Sequence, residues 1–215
     1  MKSSKWTLID SGVSDAQRNM EIDTRLLEEL DPSSINPVLH FYDWNAPSAT
    51  YGHFLNPSDH LSEDVFTHKY LQLAKRPTGG GLIFHTNDLA FSVLVPAAHE
   101  AYSVNILENY AFVNRLVIEV IEEFLGCPVA LSLLSNEPGA KDHHSGNFCM
   151  AKPTKYDVML DGRKVGGGAQ RRTRSGFLHQ GTISLSIPDK AFLEKVLLPH
   201  TCVLKAMLEN TCSLL

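Results

Sequence analysis

Two runs of three glycines, Gly79–Gly81 in RPTGGG and Gly166–Gly168 in GRKVGGG, each lie beside an apolar, strand-like stretch. Residues without a Cβ can take φ > 0 and can let a ligand or another chain segment lie against bare backbone. Neither run opens a helix, so neither builds the strand–GxGxxG–helix turn of a dinucleotide site. Lys164 sits between the strand-like Tyr156–Leu160 and the second run, where its ammonium offers three donors and a charge to an oxyanion or carboxylate. A hairpin turn bearing a solvated lysine is the other reading of that segment.

With 215 residues, 43% of them hydrophobic, the chain can bury one good core, and the expectation is a single domain over residues 1–215. The formal charge of 19 − 24 = −5 lends nothing to a nucleic-acid role. No apolar run approaches a membrane span, and MKSSKWTLID lacks the apolar segment of a signal peptide. The cysteines Cys127, Cys149, Cys202 and Cys212 form no CxxC pair, which argues against zinc or a disulfide framework and fits a reducing cytoplasm. A soluble cytoplasmic protein without a metal site is expected.

Helical spacing of Met20, Ile22, Leu26, Leu27 and Leu30 predicts an amphipathic helix over Asp15–Leu30, capped by Ser14 or Asp15. Val38–Trp44 reads as a buried strand and Ser48–Phe54 as its return, with Trp44, Tyr51 and His53 available to line an apolar slot. Leu82–His85 and Leu89–Val95 read as a hairpin turned at Thr86-Asn87-Asp88. Val104–Leu125 is the longest periodic segment, a helix ended by Gly126. A short strand over Pro128–Leu134, a loop over Ser135–Gly146, a strand over Gly176–Ile187 and closing helices over Pro188–Leu198 and Leu204–Leu215 follow. Hairpins outnumber βαβ patterns, so the fold expected is α+β: a mostly antiparallel or mixed sheet with flanking helices, set to one side.

A cysteine becomes a nucleophile where a cation or donor stabilises its thiolate. Cys149 lies in a basic stretch with Lys152, Lys155, Arg163 and Lys164, whereas Cys127, Cys202 and Cys212 sit in or beside apolar helical runs and read as core. His85, His143, His144 and His179 are acid–base candidates. The His143-His144 pair has no carboxylate at ligand spacing, and Arg171-Arg172-Thr173-Arg174 is a cationic turn open to phosphate or an acidic partner.

Four ordered segments, NMEID at Asn19–Asp23, FYDWNAPSATYGHF, RPTGGGLIFH and YDVMLDGRKVGGGAQRR, resemble the lipoate–protein ligase and octanoyltransferase family. That resemblance runs from about Asp10 to Ile187 and implies the catalytic-domain fold shared with biotin–protein ligases. It implies that Gly79, Gly80 and Gly81 press against the acyl group, that Arg76 lies near its activated head, and that His85 packs beneath it. Lys164 matches the lysine that holds the acyl carbonyl, and Tyr51, Gly166, Gly167, Gly168, Ala169, His179 and Gly181 complete the implied substrate site. Cys149-Met150-x-x-Pro153-Thr154-x-Tyr156-Asp157 is similar to the segment of octanoyltransferases that form a cysteine acyl-enzyme, and no accessory domain is expected after the core. Gly81 is the ligase-like choice, and His179-Gln180-Gly181 inverts the transferases' usual Gln-His-Gly. The transferase is the favoured reading. It needs no cofactor, takes octanoyl or lipoyl from an acyl carrier protein, and delivers it to lipoyl domains or the glycine-cleavage H-type protein. An ATP- and Mg²⁺-dependent lipoate ligase and a non-catalytic acyl-binding partner are the alternatives.

Overall fold

Along Asp88–Pro96 (DLAFSVLVP) every residue from Ala90 onward is buried, so this strand needs cover on both of its faces. The computed structural model describes residues 5–126 and 129–215, and supplies that cover. In chain order its elements are β1 (Thr7–Ser14), α1 (Ala16–Glu28), β2 (Val38–Trp44), β3 (Ser48–Tyr51), α2 (Glu63–His68), β4 (Gln72–Lys75), β5 (Ile83–His85), β6 (Asp88–Pro96), α3 (Ile106–Leu125), β7 (Leu131–Leu133), β8 (Val158–Leu160), β9 (Arg163–Arg172), β10 (Gly176–Ser184), α4 (Lys190–Val196) and α5 (Val203–Asn210). The main sheet runs β1-β2-β6-β10-β9-β8-β7 and a second runs β4-β3-β5. Pairing is antiparallel except β1 with β2 and β3 with β4, which are parallel.

Phe91, Val93 and Val95 of β6 pack against Val113, Val117 and Ile121 of α3. On the opposite face Ala90 meets Met20 of α1, and Leu94 meets Leu27 and Leu30. A third cluster, with Leu61, Leu82, Phe84, Phe148, Leu193 and Met207, joins α4 and α5 to the small sheet. The mixed α+β class is as expected, but helices cover both faces of the main sheet rather than one side. Burial of both faces of β6 requires it.

Asp15 caps α1 by accepting from Arg18 N at 2.8 Å, and Gly126 closes α3 at φ 65°. Several expected elements differ. The chain leaves β3 after Tyr51, and β3 lies in the small sheet, so it is not the return of β2. Likewise β5 pairs with β3 whereas β6 pairs with β2 and β10, so Thr86-Asn87 carries the chain between sheets instead of turning a hairpin. Gly166–Gly168 form no turn. They lie inside β9, opposite Ile183, Thr182 and Gly181 of β10. The last helix stops at Asn210, and Thr211–Leu215 run on outside it. Cys212 is buried as expected, Cys202 is exposed at the N-terminus of α5, and Cys127 lies outside the described residues. Among the described residues no helix is long and apolar enough to cross a membrane.

One buried carboxylate fastens α1 to the main sheet. Asp23, with no exposed surface, meets His40 Nδ1 of β2 at 2.8 Å and accepts from Ser92 Oγ of β6 and Gln180 Nε2 of β10, each at 2.6 Å. His40 Nε2 lies 2.8 Å from Ser11 Oγ of β1, and Gln180 Oε1 accepts from Thr78 Oγ1 at 2.7 Å. Removing one member of such a network strands the others without partners, which costs about 3–5 kcal/mol for a buried charged group. Asp23→Ala is therefore expected to lower stability in urea by about that amount. A loss under about 1 kcal/mol would mean that water satisfies the orphaned partners.

His179 of β10 is also fully buried, and its Nδ1 accepts from Gln170 Nε2 of β9 at 2.8 Å. Burial pulls its pKa from 6.5 to about 3, so the folded protein holds the imidazole neutral. The unfolded chain binds the extra proton between those values. The contribution is therefore complete above pH 6.5 and is lost as pH falls toward 3. His179→Gln should flatten the acid limb of a stability–pH curve over that window, by up to a few kcal/mol. An unchanged slope would place the acid sensitivity elsewhere.

Candidate active site

Lys164 enters the core from β9 with only 6% of its surface exposed, and a buried ammonium requires partners. Its Nζ lies 2.8 Å from Asp157 Oδ2 and donates to the carbonyl of Cys149 at 3.2 Å. Asp157, 1% exposed, is reached through a turn in which Tyr156 takes φ 68°, a conformation a non-glycine residue holds only when its surroundings impose it. Asn114 of α3 does so by donating to the Tyr156 carbonyl at 2.7 Å, while Thr154 N donates to Asp157 Oδ2 at 2.7 Å. Gly167 completes the arrangement. A Cβ there would run into the Asp157 carboxylate and come within 2.9 Å of Lys164 Nζ. The glycines of β9 thus strip the sheet of side chains where the ion pair lies.

Cys149 approaches from the other side. Phe148 and Met150 are buried in the cluster with Leu82 and Phe84, and Cys149 N donates to the Leu82 carbonyl at 2.9 Å. Gly81 lies under this segment so closely that a Cβ would strike the Asn147 carbonyl. That contact accounts for glycine at position 81, since any side chain would lift the Cys149 segment. Arg76, 5% exposed, staples the glycine loop from beneath: Nη1 donates to the Thr50 carbonyl at 2.8 Å, and Nη2 to those of Gly79 at 3.0 Å and Gly81 at 2.6 Å. Burial lowers the guanidinium pKa, and the adjacent Cys149 opposes that shift through charge and hydrogen bonding.

Two cavities meet at these residues. The inner one is lined by Met20, Tyr42, Ile83, Gly167 and Gln180 among others. The outer one is lined by Tyr110, Glu137, Lys152 and Lys155 among others. Cys149, Lys164, Gly168 and Ala169 line both, forming a wall common to the two. A thiol and an ammonium on a wall common to two cavities can handle a carbonyl whose substituents extend both ways.

Of the residues singled out from sequence, Arg76, His85, Gly167 and Gly181 line the inner cavity and Gly80 and Gly81 the outer. His85 bonds Asp88 Oδ2 at 2.7 Å and Thr50 Oγ1 at 2.9 Å, and stacks on Trp44. Gly166 borders a neighbouring cavity with Val165 and Ser184. His179 lies behind Gly168, its Nε2 directed at the place a Cβ would occupy. Gly79 contributes its carbonyl to Arg76, and Tyr51 lines neither cavity, pairing through its backbone with Lys75. Nor does Trp44 or His53: one stacks on His85 and the other meets Phe54 edge-on. His143 and His144 gather with His60, whose Nδ1 is 3.4 Å from that of His144, yet among the described residues no three such groups are placed to hold a metal ion. Sequence reasoning missed Asp157 as the partner of Lys164, and Thr50, Thr78 and Gln180 as supports. The signal for each was its place in a quoted segment: Asp157 in the Cys149–Asp157 motif, Thr50 in FYDWNAPSATYGHF, Thr78 in RPTGGGLIFH and Gln180 in His179-Gln180-Gly181.

The model of the lipoyl protein ligase A/B catalytic domain matches residues 15–206. The octanoyltransferase LipM of Halalkalibacterium halodurans is 29% identical over 206 residues, covering 95% of this chain and 75% of that protein. Octanoyltransferase LipM of Bacillus subtilis is 29% identical over 212 residues, or 98% and 76%. In fold, a crystal structure of lipoate-protein ligase A bound with ATP matches with a TM-score of 0.72 at 19% identity, over 99% of this chain and 76% of that one. With a family model spanning nearly all of the described elements on a fold of this kind, the chain belongs to the lipoyl protein ligase A/B catalytic domain family.

Proposed function

We propose that the chain is a protein acyltransferase that moves an octanoyl or lipoyl group through Cys149 onto a lysine of a lipoyl domain. The observation that carries this reading is the shared wall: Cys149, Lys164, Gly168 and Ala169 border both cavities. The inner cavity takes the acyl chain and the outer one admits the carrier. In the first half-reaction the Cys149 thiolate attacks the donor thioester carbonyl, a new S–C bond forms, and the carrier's thiolate leaves. In the second, the neutral amine of the acceptor lysine attacks the acyl-cysteine, loses a proton, and expels the Cys149 thiolate. Both tetrahedral intermediates carry an oxyanion. Of the three Lys164 donors, one faces Asp157 and one the Cys149 carbonyl, which leaves one for that oxygen. Thioester exchange supplies the driving force, so no ATP enters. The similarity to octanoyltransferases supports octanoyl as the group, and the reading takes an acyl carrier protein as donor and lipoyl domains or the H-type protein as acceptors, in the cytoplasm.

Incubated with an octanoyl-carrier thioester, the protein should gain one octanoyl mass, absent in Cys149→Ser because an alcohol is a far weaker nucleophile than a thiolate. Full activity of that variant with lipoate and ATP would replace this reading with an ATP-dependent ligase. Lys164→Ala should slow transfer to an apo lipoyl domain by roughly a hundredfold or more, the usual effect of removing an oxyanion donor. Near-normal turnover would reduce Lys164 to a structural partner of Asp157.

A further inference from the structure

The end of α5 and the segment after it touch both halves of the candidate active site. Asn210 Nδ2 donates to the Ala151 carbonyl at 2.6 Å, and Thr211 Oγ1 to the Met150 carbonyl at 2.6 Å. One residue further on, Cys212 N donates to the carbonyl of Lys164 at 2.9 Å, and Thr211 bridges Lys164 in parallel register. Leu214 N then donates to the Ser184 carbonyl of β10 at 2.8 Å, which fixes the far end. The near end is held by α5, whose Val203, Ala206 and Met207 share the cluster that contains Phe148, Met150 and Ala151. Among the described residues the only other hydrogen bond between Cys149–Ala151 and Arg163–Val165 is that of Lys164 Nζ to the Cys149 carbonyl.

We propose that Asn210-Thr211-Cys212 is a strap that sets the spacing of Cys149 and Lys164, with Thr211 and Asn210 as positioning residues for acyl transfer. The claim rests on the reading of Cys149 as the acyl-accepting residue. The strap meets β9 at the carbonyl of Lys164 itself and meets the opposing segment at the two residues that follow Cys149. Thr211 is 2% exposed, so its hydroxyl must find an acceptor inside the protein, and the Met150 carbonyl is the one it has. Loss of that bond frees the Cys149 segment to shift relative to the ammonium. Reacting groups misplaced by about 1 Å lose on the order of a hundredfold in rate.

The test compares Thr211→Val, which keeps the shape and removes the hydroxyl, with Thr211→Ser, which restores a donor, and with Asn210→Ala. Octanoyl loading of Cys149 is followed by intact mass, steady-state transfer to an apo lipoyl domain gives kcat and KM, and peptide-resolved mass spectrometry gives the rate of Cys149 alkylation by iodoacetamide. The expected result is a fall in loading rate and kcat of about tenfold to a hundredfold in Thr211→Val, a smaller fall in Asn210→Ala, KM for the acceptor unchanged, and recovery in Thr211→Ser. Wild-type loading and alkylation rates in Thr211→Val would overturn the proposal. So would loss in both the Val and Ser variants together with a lowered melting temperature, which would show a purely structural role. If the wild-type protein never loads octanoyl, the transferase reading fails by itself, and an unaltered Cys149 alkylation rate in Thr211→Val still decides against the strap.

Discussion

The helix α1, the main sheet and the Arg76 glycine loop are registered, directly or through one or two partners, to the carboxylate of Asp23. It is the only acidic side chain on the buried face of α1, and its partners come from β2, β6 and β10, three neighbouring strands of the main sheet. Through His40 it reaches the edge strand β1, and through Gln180 and Thr78 it reaches the glycine loop that Arg76 staples. A helix packed only by Met20, Leu27 and Leu30 could slide along the sheet at little cost, because apolar contact has no direction. Three hydrogen bonds to one buried carboxylate remove that freedom.

A second buried charge organises the chemistry. Lys164 and Asp157 both leave water, and the desolvation of such a pair can outweigh its attraction. The pair therefore adds little as a source of stability. Its value is geometric, because it holds an ammonium at the Cys149 backbone carbonyl where a flexible surface lysine would wander. The expense of that placement shows in the structure around it: a left-handed Tyr156, a glycine where Asp157 needs room, and an Asn114 side chain committed to one carbonyl.

Parts of this were legible in the residues alone. The spacing of apolar positions and Gly126 mark α3 to within two residues, and Val38–Trp44 reads directly as β2. The ordered segments around Arg76, Cys149 and Lys164 mark the candidate site because close approach of another chain segment to the backbone demands glycine, as the Asn147 carbonyl does at Gly81. The same property misleads at Gly166–Gly168, since a turn and a crowded strand interior both select glycine and only the partners beyond the strand tell them apart. Strand partners were hidden for a related reason. Nothing local to Thr86-Asn87-Asp88 distinguishes a hairpin from a passage between sheets. The pairing of Asp157 with Lys164 and the contact of Thr211 were illegible because they lie in which atoms meet, and that follows from the folded topology.

The wall common to the two cavities has a kinetic consequence. On the proposed reaction, donor and acceptor are each carried on a macromolecule, and both would bring their reacting atoms to Cys149 by way of the outer cavity, lined by Tyr110, Glu137, Lys152 and Lys155. They cannot dock there together. On the proposed reaction the first carrier has to depart before the second arrives, giving a double displacement in which the two compete for one landing area. Saturating acceptor would then occupy the unloaded enzyme and inhibit it.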